Sequence, residues 1–219
     1  ADNCGLAQDV PIVSQWDKST NIIWTADVPG RGHSSPVVVG GLVLITTALE
    51  AEQRQKLLAY DAQTGEPAWD RVVHNGGFTK QKLMHAKSSY ANGTAACDGT
   101  LVFVAFVNAD HVLVSAYDLS GNLAWQRDVG PFRSRYGYAP SPILYRSSVI
   151  VAADHMGGGY LAALDRSSGT IIWRTQRPRF SSYSSPIVAK VAGKRQLLIS
   201  GCDEVASYDP ETGKENWSC

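Results

Sequence analysis

Apolar and polar positions along the chain fall into a pattern that recurs. Four stretches, SSPVVVGGLVLITT, ANGTAACDGTLVFVAF, APSPILYRSSVIVAA and SSPIVAKVAGKRQLLISG, each set two short β-branched or apolar runs around a break of Gly, Asp-Gly, Ser-Ser or Gly-Lys. That pattern predicts strand, tight turn, strand. Four copies of a second phrase alternate with the first: AYDAQTGEPAWD, AYDLSGNLAWQ, ALDRSSGTIIWR and SYDPETGKENWS. Each runs from an apolar start through Asp and a Gly turn to Trp. Asp can accept a hydrogen bond from the backbone two residues on and Gly takes positive φ, so each copy predicts a hairpin. Every unit therefore holds four strands, expected in the first at about 35–39, 42–48, 56–61 and 67–73. Residues 51–62, AEQRQKLLAYDA, would suit a helix by propensity alone. Their counterparts HVLVSAYD and GYLAALD are strand-like, so 51–55 are expected in a loop, and almost no helix is expected anywhere.

Trp69, Trp125, Trp173 and Trp217 follow their Asp by eight, seven, eight and eight residues, and with Trp24 they stand 45, 56, 48 and 44 residues apart. Four-stranded antiparallel units recurring at that period without linkers predict an all-β protein, a β-propeller whose blades pack face to face around a channel. The domain is expected over 21–219 after an extension at 1–20, with complete blades at about 35–73, 93–129, 140–176 and 184–218. Trp24 marks one further outer strand, 21–28, whose inner strands are missing, so the expected parent is a ring of seven or eight blades or a ring completed by a second chain. The five tryptophans are assigned to docking between blades, where a large aromatic ring buries most surface.

Composition narrows the function. Lys plus Arg and Asp plus Glu are 20 each, which gives no basic field for nucleic acid. The longest apolar run, VVVGGLVLI, is half of what a bilayer helix needs. Cys4, Cys97, Cys202 and Cys219 lie far apart with no Cys/His cluster, so no metal site is expected. A chain starting at Ala1 with neutral charge suits an exported protein whose signal is already removed.

The phrase A-Y/L-D-x-x-T/S-G-x-x-x-W, with SSP before the inner strand, resembles the docking motif of the pyrroloquinoline-quinone (PQQ) repeat propellers, over residues 21–219. The resemblance implies a blade-built fold and a periplasmic or extracellular setting. It takes in non-catalytic BamB-like assembly lipoproteins and quinoprotein alcohol or sugar dehydrogenases, which hold PQQ and calcium in the channel. A dehydrogenase of that kind carries a vicinal Cys-Cys pair, and no two cysteines are adjacent here. The first reading is a binding or protein-interaction scaffold with no cofactor; the alternative is a PQQ-dependent dehydrogenase or a fragment of one.

Loops separate the two faces of the disc. Gly40-Gly41, Asp98-Gly99 and the Asp-x-x-T/S-Gly series are minimal turns on one face. On the other, the connections into the inner strands are long and carry the candidate contacts Arg31, His33, Lys87, Tyr90, Arg135, Tyr138 and Tyr183. Basic, hydroxyl and aromatic groups around a concavity suit a protein segment or a small polar or anionic ligand. Tyr138 and Tyr183 have a second reading, as side chains that fill space beside Pro142 and Pro186. Asp154 and His155 are expected exposed near the same mouth; Asp110, Asp203 and Glu204 are read as solvated loop carboxylates.

Overall fold

In the computed structural model, residues 13–79, 84–134 and 136–219 are described. They hold sixteen strands and no helix. The first blade runs β1 (Val37–Val39), β2 (Leu42–Leu49), β3 (Arg54–Asp61) and β4 (Pro67–Asn75); the second β5 (Ala96–Cys97), β6 (Leu101–Asn108), β7 (His111–Asp118) and β8 (Leu123–Pro131). The third runs β9 (Ile143–Tyr145), β10 (Ser148–Ala153), β11 (Tyr160–Asp165) and β12 (Ile171–Gln176), and the fourth β13 (Ile187–Val191), β14 (Lys194–Gly201), β15 (Glu204–Tyr208) and β16 (Glu215–Ser218). Strands in each sheet are antiparallel and in sequence order. This is a stack of propeller blades.

The two middle strands of a blade are covered on both faces, so they read as nearly unbroken apolar runs. Ser148–Ala153 is buried at every position, whereas outermost Ile171–Gln176 alternates between exposed and half-buried. Three apolar cores result, one at each blade junction: Leu44, Leu57 and Phe106 between blades 1 and 2, Phe103, Val114 and Val151 between 2 and 3, and Ile150, Leu161 and Ile199 between 3 and 4.

The tryptophans join the blades by one repeated device. Trp24, Trp69, Trp125 and Trp173 donate their indole N–H to the carbonyls of Ala62, Leu119, Arg166 and Pro210 in the turn of the next blade, at 3.1, 2.9, 2.8 and 3.3 Å. Two residues beyond, Arg71, Arg127 and Thr175 donate to the carbonyls of Gly121, Gly169 and Gly213 at 2.7, 3.0 and 2.6 Å. Small residues Ala59, Ala116, Ala163 and Ser207 pair across the ladder from Trp69, Trp125, Trp173 and Trp217, and the register shifts immediately after each. Gly169 shows why the turn needs glycine: φ is +69° and a Cβ would lie 2.5 Å from the Trp125 ring. Gly169→Ala is expected to cost about 2 kcal/mol or more, from left-handed strain plus displacement of the ring, read as a lower denaturant midpoint.

Two expectations are corrected. Residues 21–28 form no strand: an outer strand exists only through its ladder, and none of the described strands pairs with this segment. It keeps the docking function alone, through Trp24. The third strand of blade 1 starts at Arg54, two residues before Lys56, because pairing from Leu49 to Arg54 extends the hairpin and overrides helix propensity.

Candidate functional site

Hydroxyls stitch the inner strands together at the channel mouth. The backbone N–H of Ser35 donates to Thr94 Oγ1, that of Thr94 to Ser141 Oγ, and that of Ser141 to Ser185 Oγ, each at 2.9 Å. Each of these residues stands two positions before an inner strand. The SSP signal thus marks a blade-to-blade latch.

Beyond the latch the loops of this face enclose a cavity of about 380 Å³. Of the expected contacts, Tyr90, Tyr138 and Tyr183 line it. Tyr90 stacks on Phe78 with ring centres 4.1 Å apart and donates its hydroxyl to the Thr79 carbonyl at 2.6 Å. Tyr183 shares a 2.8 Å hydrogen bond with Ser134 and meets Tyr136 edge-on at 5.9 Å. Tyr138 is buried, edge-on to Phe132 at 5.2 Å, and donates to the Ala152 carbonyl at 3.1 Å. Burial pushes its hydroxyl far above the ordinary tyrosine range. It is a wall of the cavity and part of the junction core at once.

Arg31, His33 and Lys87 lie outside the cavity. Arg31 donates to the Ala86 carbonyl at 2.5 Å and stands 4.0 Å from Glu50, tying the first blade to the long loop. His33 is exposed and its backbone N–H donates to the Ala91 carbonyl at 2.9 Å. Lys87 projects into solvent while its backbone N–H donates to His85 Nδ1 at 3.1 Å. Arg135 lies outside the described residues.

The loops between second and third strands are short in two blades. Ala109-Asp110 and Cys202-Asp203 are two-residue turns with φ of +48° and +61°, and +61° and +61°. Asp154 and His155 are also corrected: they are 1% and 3% exposed. The reason is Arg177, 2% exposed, whose Nε and Nη2 donate to the two Asp154 oxygens at 2.8 and 3.2 Å while Nη1 donates to the Tyr208 hydroxyl at 2.8 Å and Glu204 at 3.3 Å. An uncompensated carboxylate could not be buried there; the bidentate guanidinium makes it possible and joins blade 3 to blade 4. Glu204 therefore belongs to this lock, and Asp203 is exposed.

Behind the cavity wall, His74 packs edge-on against Phe106 at 5.8 Å, with Nε2 buried and unpartnered. Burial pushes its pKa down from 6.5 to about 4. The unfolded chain takes up that proton near pH 6.5 and the folded chain only near 4, so the unfolded state binds more protons in between. Stability is complete above pH 6.5 and falls as pH drops toward 4. The thermal midpoint is expected to decline from pH 7 to 4.5, with a shallower decline in His74→Phe; a flat profile in the wild type contradicts this.

Comparison with known proteins follows the repeat. The family model described as "Outer membrane protein assembly factor BamB" matches residues 4–91 and 79–219. The chain belongs to this family of PQQ-repeat propellers. It is 26% identical over 200 residues to outer membrane protein assembly factor BamB of Burkholderia pseudomallei (strain K96243), a match over 89% of this chain and 46% of the relative. The chain thus spans about half the length of that relative. Among solved structures it resembles BamB from Moraxella catarrhalis, with a TM-score of 0.63, 17% identity and coverage of 90% of this chain and 54% of that one. It also resembles quinohemoprotein alcohol dehydrogenase from Comamonas testosteroni, with a TM-score of 0.64, 16% identity and coverage of 87% and 35%. At these identities the two likenesses concern the fold.

Sequence reasoning missed part of the cavity in this family member. Phe106 lies in a middle strand and reads as core; Phe132 follows an outer strand; Met84 and Met156 carry no motif. One signal was present: both methionines of the chain lie in loops of the same face.

Proposed function

We propose that the chain acts as a protein-interaction scaffold of the bacterial envelope, binding through its loop face. One observation carries the reading: the turns of one face are consumed in seating tryptophans, while the loops of the other converge on a cavity whose wall includes Tyr90, Phe132, Tyr136 and Tyr183. Loop length that the blades do not need is available for recognition. Membership of a family described as an outer membrane assembly factor supports the envelope setting. Among the described residues no helix is long and apolar enough to cross a membrane.

The reading uses neither PQQ nor calcium. Calcium takes several converging oxygens, whereas the cavity wall offers one carboxylate, Asp110, engaged by Thr79 at 3.1 Å and Arg133 at 3.6 Å. Among the described residues no three His, Cys, Asp or Glu side chains gather for a metal. Blade 4 supports a further partner: Trp217, Ile187 and Val205 are 39%, 55% and 41% exposed, a surface suited to another blade from the same or a second chain.

Lys87→Ala combined with Tyr136→Ala is expected to reduce retention of a solubilised outer-membrane partner about tenfold while moving the thermal midpoint by only a few degrees, since both side chains are exposed. Tyr138→Ala cannot serve, because its ring is in the core. Undiminished retention by the double variant contradicts the reading.

A further inference from the structure

We propose that the loop-face cavity is an anchor pocket for a peptide segment that inserts one aromatic side chain and flanks it with carboxylates. The proposal rests on the scaffold reading and names what that face recognises. At about 380 Å³ the cavity is at the lower end of the ligand-sized range of roughly 300–1,000 Å³, room for one large side chain and its neighbours. Several of its polar groups are already paired. The Tyr90 hydroxyl is committed to Thr79, Ser134 to Tyr183, and Ser89 to Asn92 at 2.6 Å, while the Tyr138 hydroxyl is turned onto Ala152. No buried polar side-chain atom of this wall is left without a partner among the described residues. The wall therefore asks for apolar surface, with aromatic rings in position for edge-on and stacked contact.

Met84 and Met156 add the adaptability that surfaces recognising varied segments use, because an unbranched thioether repacks easily around different side chains. Met156 is 64% and Tyr136 51% exposed, so the opening itself is apolar. The loops of this face carry exposed cations, with Asp203 an exposed carboxylate on the turn beside Phe180. The Arg133 side chain is 82% exposed and Lys87 and Arg179 are exposed; the one carboxylate in the wall, Asp110, already faces Arg133 at 3.6 Å. These cations come from three separate loops. A single small anion reaches one of them, whereas an extended segment carries several carboxylates past all three and still leaves its aromatic ring in the pocket.

Fluorescence anisotropy on the full chain tests this, with a short fluorescein-labelled peptide containing one Phe between Asp and Glu residues. Saturable binding is expected. It should weaken about tenfold or more when the peptide's Phe is replaced by Ala, when its acids are replaced by Lys, or when the protein carries Tyr136→Ala or Arg133→Glu. Both protein positions are exposed, and an unchanged thermal midpoint shows that folding is intact. Binding that ignores either protein variant, or that prefers the Lys-flanked peptide, overturns the proposal. So does dodecanoate binding that displaces the peptide with the same sensitivity to both variants, which assigns the pocket to acyl chains. Absence of peptide binding while Lys87→Ala with Tyr136→Ala still abolishes partner retention overturns the anchor and leaves the scaffold reading standing; loss of both removes both.

Discussion

Arg177→Met is expected to destabilise the fold by about 3–5 kcal/mol, because it leaves Asp154 ionised and buried with no compensating charge. Their side chains are 0% and 2% exposed, and the pair spans the junction between blades 3 and 4. Asp154→Leu should cost less, because Glu204 at 3.3 Å still faces the guanidinium beside Tyr208 and the Gly201 carbonyl. The double variant is expected to recover most of that loss, since replacing a buried pair with apolar side chains is often neutral. Denaturant unfolding of the two single variants and the double variant measures the coupling. Additive losses would show that the pair does not act as a unit.

Trp125→Ala is the second large effect, about 3–5 kcal/mol. The ring packs 6.0 Å from Phe103, fills the space above Gly169 and donates to the Arg166 carbonyl. Removing it opens a cavity where two blades meet and leaves that carbonyl without its donor. Trp217→Ala is the internal control. Its indole is 39% exposed and bonded to Gln196 of its own blade, so about 1 kcal/mol or less is expected. Equal losses at the two positions, measured by thermal and denaturant unfolding, would show that docking onto the neighbouring turn is not what the tryptophans contribute.

The fold was legible because blades are local. A hairpin turn of the Asp-x-x-T/S-Gly kind and a Trp seven or eight residues after its Asp are both short-range signals, and repetition made them unambiguous. Trp24 was legible as a docking residue but its segment was not, because a strand depends on a ladder with a partner that the local sequence does not contain. The site was legible in outline only. Tyr90, Tyr138 and Tyr183 line one cavity, but Tyr138 turns inward, since tyrosine buries its ring where a carbonyl such as that of Ala152 can take the hydroxyl. Asp154 and His155 read as exposed because a carboxylate in a loop usually is. The sequence carries no local mark that Arg177, 23 residues later, reaches back to neutralise Asp154. Long-range charge pairing and the meeting of side chains from five separate loops are products of the assembled blades.

The central claim is that the turns of one face are spent on seating tryptophans, while the loops of the other face, beyond the latch, bind protein. Site-specific photo-crosslinking in bacterial cells tests it most directly, with a photoreactive side chain placed in turn at Lys87, Tyr136, Thr64 and Ser168, all exposed. Adducts to an envelope protein are expected from Lys87 and Tyr136 on the loop face, and none from Thr64 and Ser168 on the turn face. Adducts confined to Thr64 and Ser168 would contradict the account.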